Sequence, residues 1–219
     1  MPDKTHADIP LSFFEYRAIY QEPIFNAQKL YWGVSEAVFR AFRGWNITLE
    51  NVSHKQNPLN FGEIATTFVL FGGRFVFTVG LGPTTLLAKD LNWSETELIM
   101  NIGKSGMAAV LTSGGMIMEQ QRASIAMHLR PSSGSIKDIT LRLARPIGSE
   151  LLDSEVRSYG LSVYRQDSSW VVDASAAYAN ALFVRIDHIL GPKVPFEEIA
   201  SRLKIDEIKL LNLLKLEVD

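Results

Sequence analysis

Three side chains in the middle of the chain, His128, Arg130 and Arg142, have the chemistry needed to bind an anionic group. His128 follows Ser124 and Ala126 at strand spacing, and the apolar residues of this run lie on the opposite face. We therefore expect His128 to face solvent or a cleft, where an imidazole can exchange protons near neutral pH. Arginine guanidinium groups bind carboxylates and phosphates. These are the candidate ligand-binding residues, and a solvated sheet face is the alternative.

We expect His188, in contrast, to be buried, because it follows Val184 and Ile186 on the apolar face of its predicted strand. This pattern predicts a histidine in the core. The adjacent Asp187 points to the other face of the strand, so the two side chains cannot bind one metal ion together. No two histidines have metal-ligand spacing, and the chain contains no cysteine, which excludes thiolate metal sites and disulfides. We expect neither a metal nor a cofactor.

Two glycine-containing segments match nucleotide-binding motifs only in part. Gly103-Lys104-Ser105 ends like a phosphate-binding loop, but it falls inside a predicted helix, where the backbone amides are already used. Gly80-Leu81-Gly82 begins like a dinucleotide-binding fingerprint, but Thr85 stands where the third glycine is required. Neither segment predicts a nucleotide site.

The elements that must position these residues contain a pattern typical of duplication. Two alternating apolar runs, half a chain apart, end in Leu81-Gly82-Pro83 and Leu190-Gly191-Pro192. Each run predicts a strand, each Gly-Pro pair is expected to end the ladder, and a helix is expected to follow. The pattern suggests two fused copies of a strand-hairpin-helix unit, with pseudo-repeat halves 24–115 and 120–219. Chance similarity is the alternative.

In the first half, helical spacing predicts a helix over 23–44, and alternation predicts a strand through residues 45–49. Gly72-Gly73 predicts the tight turn of a hairpin between strands at 64–71 and 74–81. Ser94 with Glu97 predicts a capping box, and Trp93 with Leu98 a hydrophobic staple, for a helix that ends before Gly114.

In the second half, apolar alternation predicts a strand at 125–129, a turn at 131–134 and a returning strand at 139–143. A further hairpin is expected around 167–169, between strands at 159–165 and 170–173. A strand at 182–190 and a helical tail from Phe196 complete the order. We predict an α+β fold, a single globular domain over 1–219, with a largely antiparallel sheet of about 7–8 strands covered by helices.

Composition limits the classes of function. The 219 residues are 47% hydrophobic and 21% charged, as in a folded protein, and 22 basic against 24 acidic residues give a net charge of −2. This balance makes nucleic acid an unlikely main partner. No apolar run reaches the ~18 residues of a membrane span, and the N-terminus lacks a signal pattern, so we expect a cytoplasmic protein without a membrane partner.

Aromatic residues crowd the first 45 positions. Trp32 and Phe39 lie off the line of apolar residues that would face the sheet from the first helix, so this helix has a second apolar face. The N-terminal segment, another subunit or an apolar ligand could cover that face. Another subunit would make the protein at least a dimer, and Trp32 and Phe39 are therefore interface candidates.

The tail from Phe196 has the apolar spacing of a helix-turn-helix. Residues 195–219 hold four basic and six acidic side chains, which disfavours contact with DNA. A helix pair closing the core is one alternative. A helix that binds a partner is the other, with Ile208 and Leu211 as interface candidates.

These observations predict a non-enzymatic cytoplasmic protein that acts through protein contacts, namely self-association and a partner. The alternative is a small-molecule-binding protein or an enzyme with a cavity between the sheet and its helices. Nucleic-acid binding through the tail is a third hypothesis.

Overall fold

The computed structural model describes residues 4–22, 29–55, 64–90, 93–144 and 160–218. The fold is α+β, with a largely antiparallel sheet of ten strands and four α-helices, which confirms the predicted class and exceeds the predicted number of strands. The strands are β1 (Thr5–Tyr20), β2 (Val52–Lys55), β3 (Ala65–Leu70), β4 (Phe75–Gly80), β5 (Pro83–Lys89), β6 (Met118–Pro131), β7 (Leu161–Tyr164), β8 (Ser168–Ala174), β9 (Leu182–Leu190) and β10 (Leu216–Glu217). The helices are α1 (Ser35–Ala41), α2 (Thr96–Gly114), α3 (Ile136–Ala144) and α4 (Phe196–Leu214).

The chain forms two compact units. The first unit contains Met1–Ser12, Ser124–His188 and Ser201–Asp219, and the second contains Phe13–Ala123 and Ile189–Ala200. The single domain and the pseudo-repeat halves stay predictions.

In the second unit the strands lie in the order β2, β3, β4, β5, β1, and every neighbouring pair is antiparallel. Gly72 and Gly73 join β3 to β4 with φ angles of 64° and 95°, which confirms the predicted hairpin. Thr78 of β4 pairs with Thr67 of β3 on one side and with Thr85 of β5 on the other, so β4 lies between these two strands.

Two strands of the second unit contradict the predicted organisation. Pro83 starts β5 instead of leading to a helix, because a proline is tolerated at the first position of a strand. Buried Thr84, Leu86 and Ala88 alternate with less buried residues there. The aromatic N-terminal segment is part of the long strand β1, in which Phe14, Tyr16, Ala18 and Tyr20 are buried at every second position.

The helical part of the second unit also differs from expectation. Residues 23–28 of the predicted first helix lie outside the described residues, a π-helical turn covers Lys29–Val34, and α1 follows. The predicted strand at 45–49 is wrong, since 3-10 turns form at Arg43–Trp45 and Leu49–Asn51. Asn46 separates them in a left-handed conformation (φ 56°), which a strand cannot accommodate.

Helix α2 does not begin at its predicted start signal, but it ends at its predicted stop signal. Ser94 lies inside the 3-10 turn Trp93–Glu95, and Glu95 precedes the first α-helical residue, so the prediction of Ser94 as N-cap is wrong. The Trp93 side chain of the predicted staple lies outside the described residues. At the other end, Gly115 adopts a left-handed φ of 61° and its N–H binds Leu111 O, which confirms termination at the glycine pair.

In the first unit the strands lie in the order β6, β9, β8, β7, while β10 pairs with the start of β1 in parallel. The predicted hairpin around 167–169 is confirmed as β7 and β8, although Tyr159 lies outside the described residues. The predicted strand at 139–143 is wrong, because these residues form α3. Ser135 Oγ accepts the Asp138 N–H at 3.2 Å and donates to the Asp138 carboxylate at 2.8 Å, which starts a helix.

Helix α4 is one continuous helix of 19 residues. A helix-turn-helix and a closing helix pair both need a turn inside 196–214, so both interpretations of the tail are wrong. Across the described part of the chain, no helix is long and apolar enough to cross a membrane.

Candidate functional site

His128 is buried, with only 9% of its surface exposed, so the prediction of an accessible histidine is wrong. The reason is that β6 is buried on both of its faces around this residue. Ser124 and His128 are buried on one face of this strand, and Ile125, Met127 and Leu129 are buried on the other. A strand covered on both faces has no solvent side, so alternation does not indicate exposure.

The hydrogen bonds around His128 define its protonation state. The Oγ atom of Ser175 lies 2.8 Å from His128 Nδ1 and accepts the backbone N–H groups of Ala177 and Tyr178 at 3.1 and 3.0 Å. Both lone pairs of this oxygen are therefore occupied, and its proton is left for Nδ1. We assign His128 as the neutral tautomer with its proton on Nε2. Burial lowers the pKa of His128, which also favours the neutral form.

The structure brings two of the predicted ligand-binding residues to one aromatic ring. The His128 ring meets the Tyr178 ring edge-on at a centroid distance of 5.2 Å, and the exposed Arg130 guanidinium lies 5.6 Å from the centre of the same ring. His128 anchors the loop through Ser175, and Arg130 is the group that can meet an anion in solution.

Arg142 lies elsewhere in the first unit. Its exposed side chain lines a cavity of about 330 Å³ to which His128 and Arg130 do not contribute. The other polar groups at this cavity are side chains of Thr5, Ser133, Ser135 and Asp138. The three predicted residues therefore do not form one site.

A polar cluster in the first unit contains His188, which is only 7% exposed, and this confirms its predicted core position. Its Nε2 atom lies 3.2 Å from Asp206 Oδ2, without hydrogen-bond geometry. Asp206 Oδ2 accepts the Trp170 indole N–H at 3.3 Å, and Oδ1 accepts the Lys209 ammonium at 2.9 Å. We call these four residues the His188 cluster.

The pKa values in the His188 cluster favour neutral His188 beside ionised Asp206. Burial lowers the pKa of His188, and the charges of Asp206 and Asp167 offset this only in part. Burial would raise the pKa of Asp206, but the hydrogen bond and the charge of Lys209, together with the Trp170 hydrogen bond, bring it below the usual value. No sequence signal identified Asp206 as a partner, since it lies in α4 and His188 in β9.

We expect the free energy of unfolding to fall as the pH drops from neutral towards 5. The unfolded chain binds protons on His128 and His188 near a pKa of ~6.5, whereas the folded protein binds them only at lower pH, because the pKa values of these two side chains are lowered. Stability is therefore fully present above that pH and declines below it. Urea denaturation at several pH values measures the slope.

The double variant His128→Gln/His188→Gln should flatten this pH dependence. His6→Gln serves as the control, because the His6 side chain is 39% exposed. An unchanged slope in the double variant would contradict the assignment of neutral buried histidines.

The predicted interface residues in the second unit differ in exposure. Trp32 is 80% exposed, so the alternative that the N-terminal segment covers it is wrong. Phe39 is half-buried, and the Arg43 guanidinium lies 5.8 Å from its ring centre. Trp32 is an unusually exposed large apolar side chain.

In α4, Ile208 is 50% exposed and Leu211 is half-buried. Ile205, which was not among the candidates, is 52% exposed. Six buried residues form the opposite face of the helix, so Ile205 and Ile208 point away from the core. The six are Ile199, Leu203, Asp206, Glu207, Leu210 and Leu214.

Among the described residues, no group of three or more His, Asp or Glu side chains could hold a metal ion. No family model matches the sequence. No curated protein matches it either. Among solved structures, the chain is similar to the regulatory subunit of aspartate kinase from Thermus flavus, with 11% identity over 94% of this chain and 99% of that chain and a TM-score of 0.23. Similarity at this level identifies neither a family nor a function.

Proposed function

We propose that the protein is a non-enzymatic cytoplasmic protein that acts through protein contacts, first with a second copy of itself and then with a partner. The observation that supports this proposal is the exposure of Ile205 and Ile208 on the face of α4 opposite its buried face. Two large aliphatic side chains half exposed to water on one helix face gain free energy when another apolar surface covers them.

The row of exposed residues around this pair suits a second helix. Ser201, Ile205, Ile208 and Asn212 are all exposed, carry no charge and follow one another at spacings of four, three and four residues. This is the spacing of a coiled-coil seam, with apolar Ile205 and Ile208 at its two central positions and polar Ser201 and Asn212 at its ends. We call these four residues the α4 seam, and its occupant in this proposal is the α4 seam of a second copy.

The four residues of the α4 seam carry no charge, so a two-fold pairing of identical seams requires no complementary charge between them. One positive charge borders the seam at its end, where the Lys4 ammonium donates to Asn212 Oδ1 at 2.7 Å. A stable dimer would bury ~800 Å² per partner, which exceeds one short seam, so neighbouring surface of the first unit contributes as well. Trp32, in the second unit, then remains for the separate partner.

We expect the double variant Ile205→Lys/Ile208→Lys to be monomeric while the unmodified protein is a dimer. The two new lysine ammonium groups of each chain would be buried in the interface without a negatively charged partner, and they would face the same positive charges of the second copy. Light scattering coupled to gel filtration distinguishes 24.5 kDa from twice that mass.

Leu213→Lys is the matched control, because Leu213 is 49% exposed on the same helix but lies outside the α4 seam. This control should remain dimeric. Loss of the dimer in Leu213→Lys, or a dimer in the double variant, would contradict the proposed interface.

A further inference from the structure

The cavity beside α3 carries two opposite charges that do not satisfy each other. Asp138 and Arg142 are four residues apart and thus share one face of α3. Among the described residues, no ion pair joins them. Asp138 Oδ2 accepts a hydrogen bond from Ser135 Oγ at 2.8 Å, and Arg142 makes one long contact, to Leu214 O at 3.5 Å. One carboxylate oxygen and most guanidinium donors therefore remain available at the cavity.

The remaining lining selects for a small and partly polar occupant. The hydroxyl groups of Thr5 and Ser133 can donate or accept hydrogen bonds, while the nearly buried Ile139 offers apolar contact. A volume of about 330 Å³ lies at the lower end of the range for ligand sites, which suits a metabolite rather than a nucleotide.

The walls of the cavity are held in place by hydrogen bonds within the first unit. The Ser132 N–H binds His6 O at 2.8 Å, which joins the loop before α3 to β1. Asn180 Oδ1 accepts the Ile136 N–H at 3.1 Å, and Asn180 Nδ2 donates to Gly134 O at 3.3 Å. These hydrogen bonds fix the residues around the cavity before a ligand binds, which reduces the entropy cost of binding.

We propose that this cavity binds a small amphoteric molecule, a free amino acid, with its carboxylate on Arg142 and its ammonium group on Asp138. An anion alone would meet the Asp138 carboxylate, and a cation alone would meet the Arg142 guanidinium. A molecule that carries both charges satisfies both groups, and the guanidinium fork can bind its carboxylate with two hydrogen bonds. The proposed binding does not require self-association, although the cavity lies near the end of α4, to which Arg142 donates at Leu214 O.

Calorimetric titration of the unmodified protein with single free amino acids at millimolar concentration tests the proposal. We expect at least one of them to bind, and its N-acetyl and carboxamide derivatives to bind at least about tenfold more weakly, because each lacks one charge. Inorganic phosphate should bind no better than the derivatives. Failure of every amino acid, or equal binding of a derivative or of phosphate, would overturn the proposal.

Side-chain variants then locate the site. Arg142→Gln and Asp138→Asn should each weaken binding about tenfold, whereas Lys204→Gln, an exposed change on α4, should leave it unchanged. Thermal unfolding of Asp138→Asn must be recorded as well, since Asp138 also starts α3. Binding that survives in both cavity variants would place the ligand elsewhere and contradict this assignment.

Discussion

Replacement of Gly106 by alanine is expected to destabilise the protein by about 1–3 kcal/mol, and leucine is expected to prevent stable folding of the second unit. A Cβ atom at Gly106 would lie 2.6 Å from Phe77 Cζ and 2.9 Å from Phe42 Cζ. Both phenylalanines are completely buried, and their rings meet edge-on at 5.2 Å, so neither has space to move aside. The overlap outweighs the gain of ~1 kcal/mol that alanine normally brings to a helix interior.

Urea denaturation of Gly106→Ala against Gly44→Ala isolates this effect. A Cβ atom at Gly44 would meet nothing within 4 Å, so this control should change stability by less than about 0.5 kcal/mol. If Gly106→Ala is as stable as the unmodified protein, α2 does not pack against Phe42 and Phe77 as described.

The second large effect is expected for Asp206→Ala, which should cost about 2–3 kcal/mol of stability. Asp206 is 5% exposed, and its carboxylate accepts hydrogen bonds from Trp170 and Lys209. Alanine leaves the buried indole N–H of Trp170 without its acceptor and opens a small void. Lys209 loses less, since its side chain is 54% exposed.

Asp187→Ala is the matched control for this change. Asp187 pairs with Arg185 at 2.9 Å, but both side chains are substantially exposed, so we expect a loss below about 1 kcal/mol. Asp206→Asn, which keeps an acceptor for Trp170, should lie between the two. Equal losses in Asp206→Ala and Asp187→Ala would show that the His188 cluster does not support the first unit.

Local sequence signals were sufficient where one residue type decides the backbone. Gly72 and Gly73 identified the β3–β4 hairpin because the turn requires positive φ at both positions. Alternation identified β9 and the burial of His188, since one face of this strand is more buried than the other. The turn follows from local backbone geometry and the buried face from strand periodicity, so a single sequence shows both.

The features that were predicted wrongly have two causes, a local helix-start signal that was overlooked and contacts between residues far apart in the chain. Residues 136–143 fit both strand and helix spacing, and the Ser135–Asp138 cap selected the helix. His128 could not be placed from alternation, because residues on both faces of β6 are buried. The partners Asp206 of His188 and Ser175 of His128 lie far away in sequence, and a single sequence carries no signal for such pairs.

Sedimentation equilibrium of the unmodified protein over a dilution series tests the central claim, self-association through the α4 seam, most directly. We predict a species of twice the 24.5 kDa chain mass that dissociates to single chains on dilution. A single-chain mass at every concentration would contradict the claim.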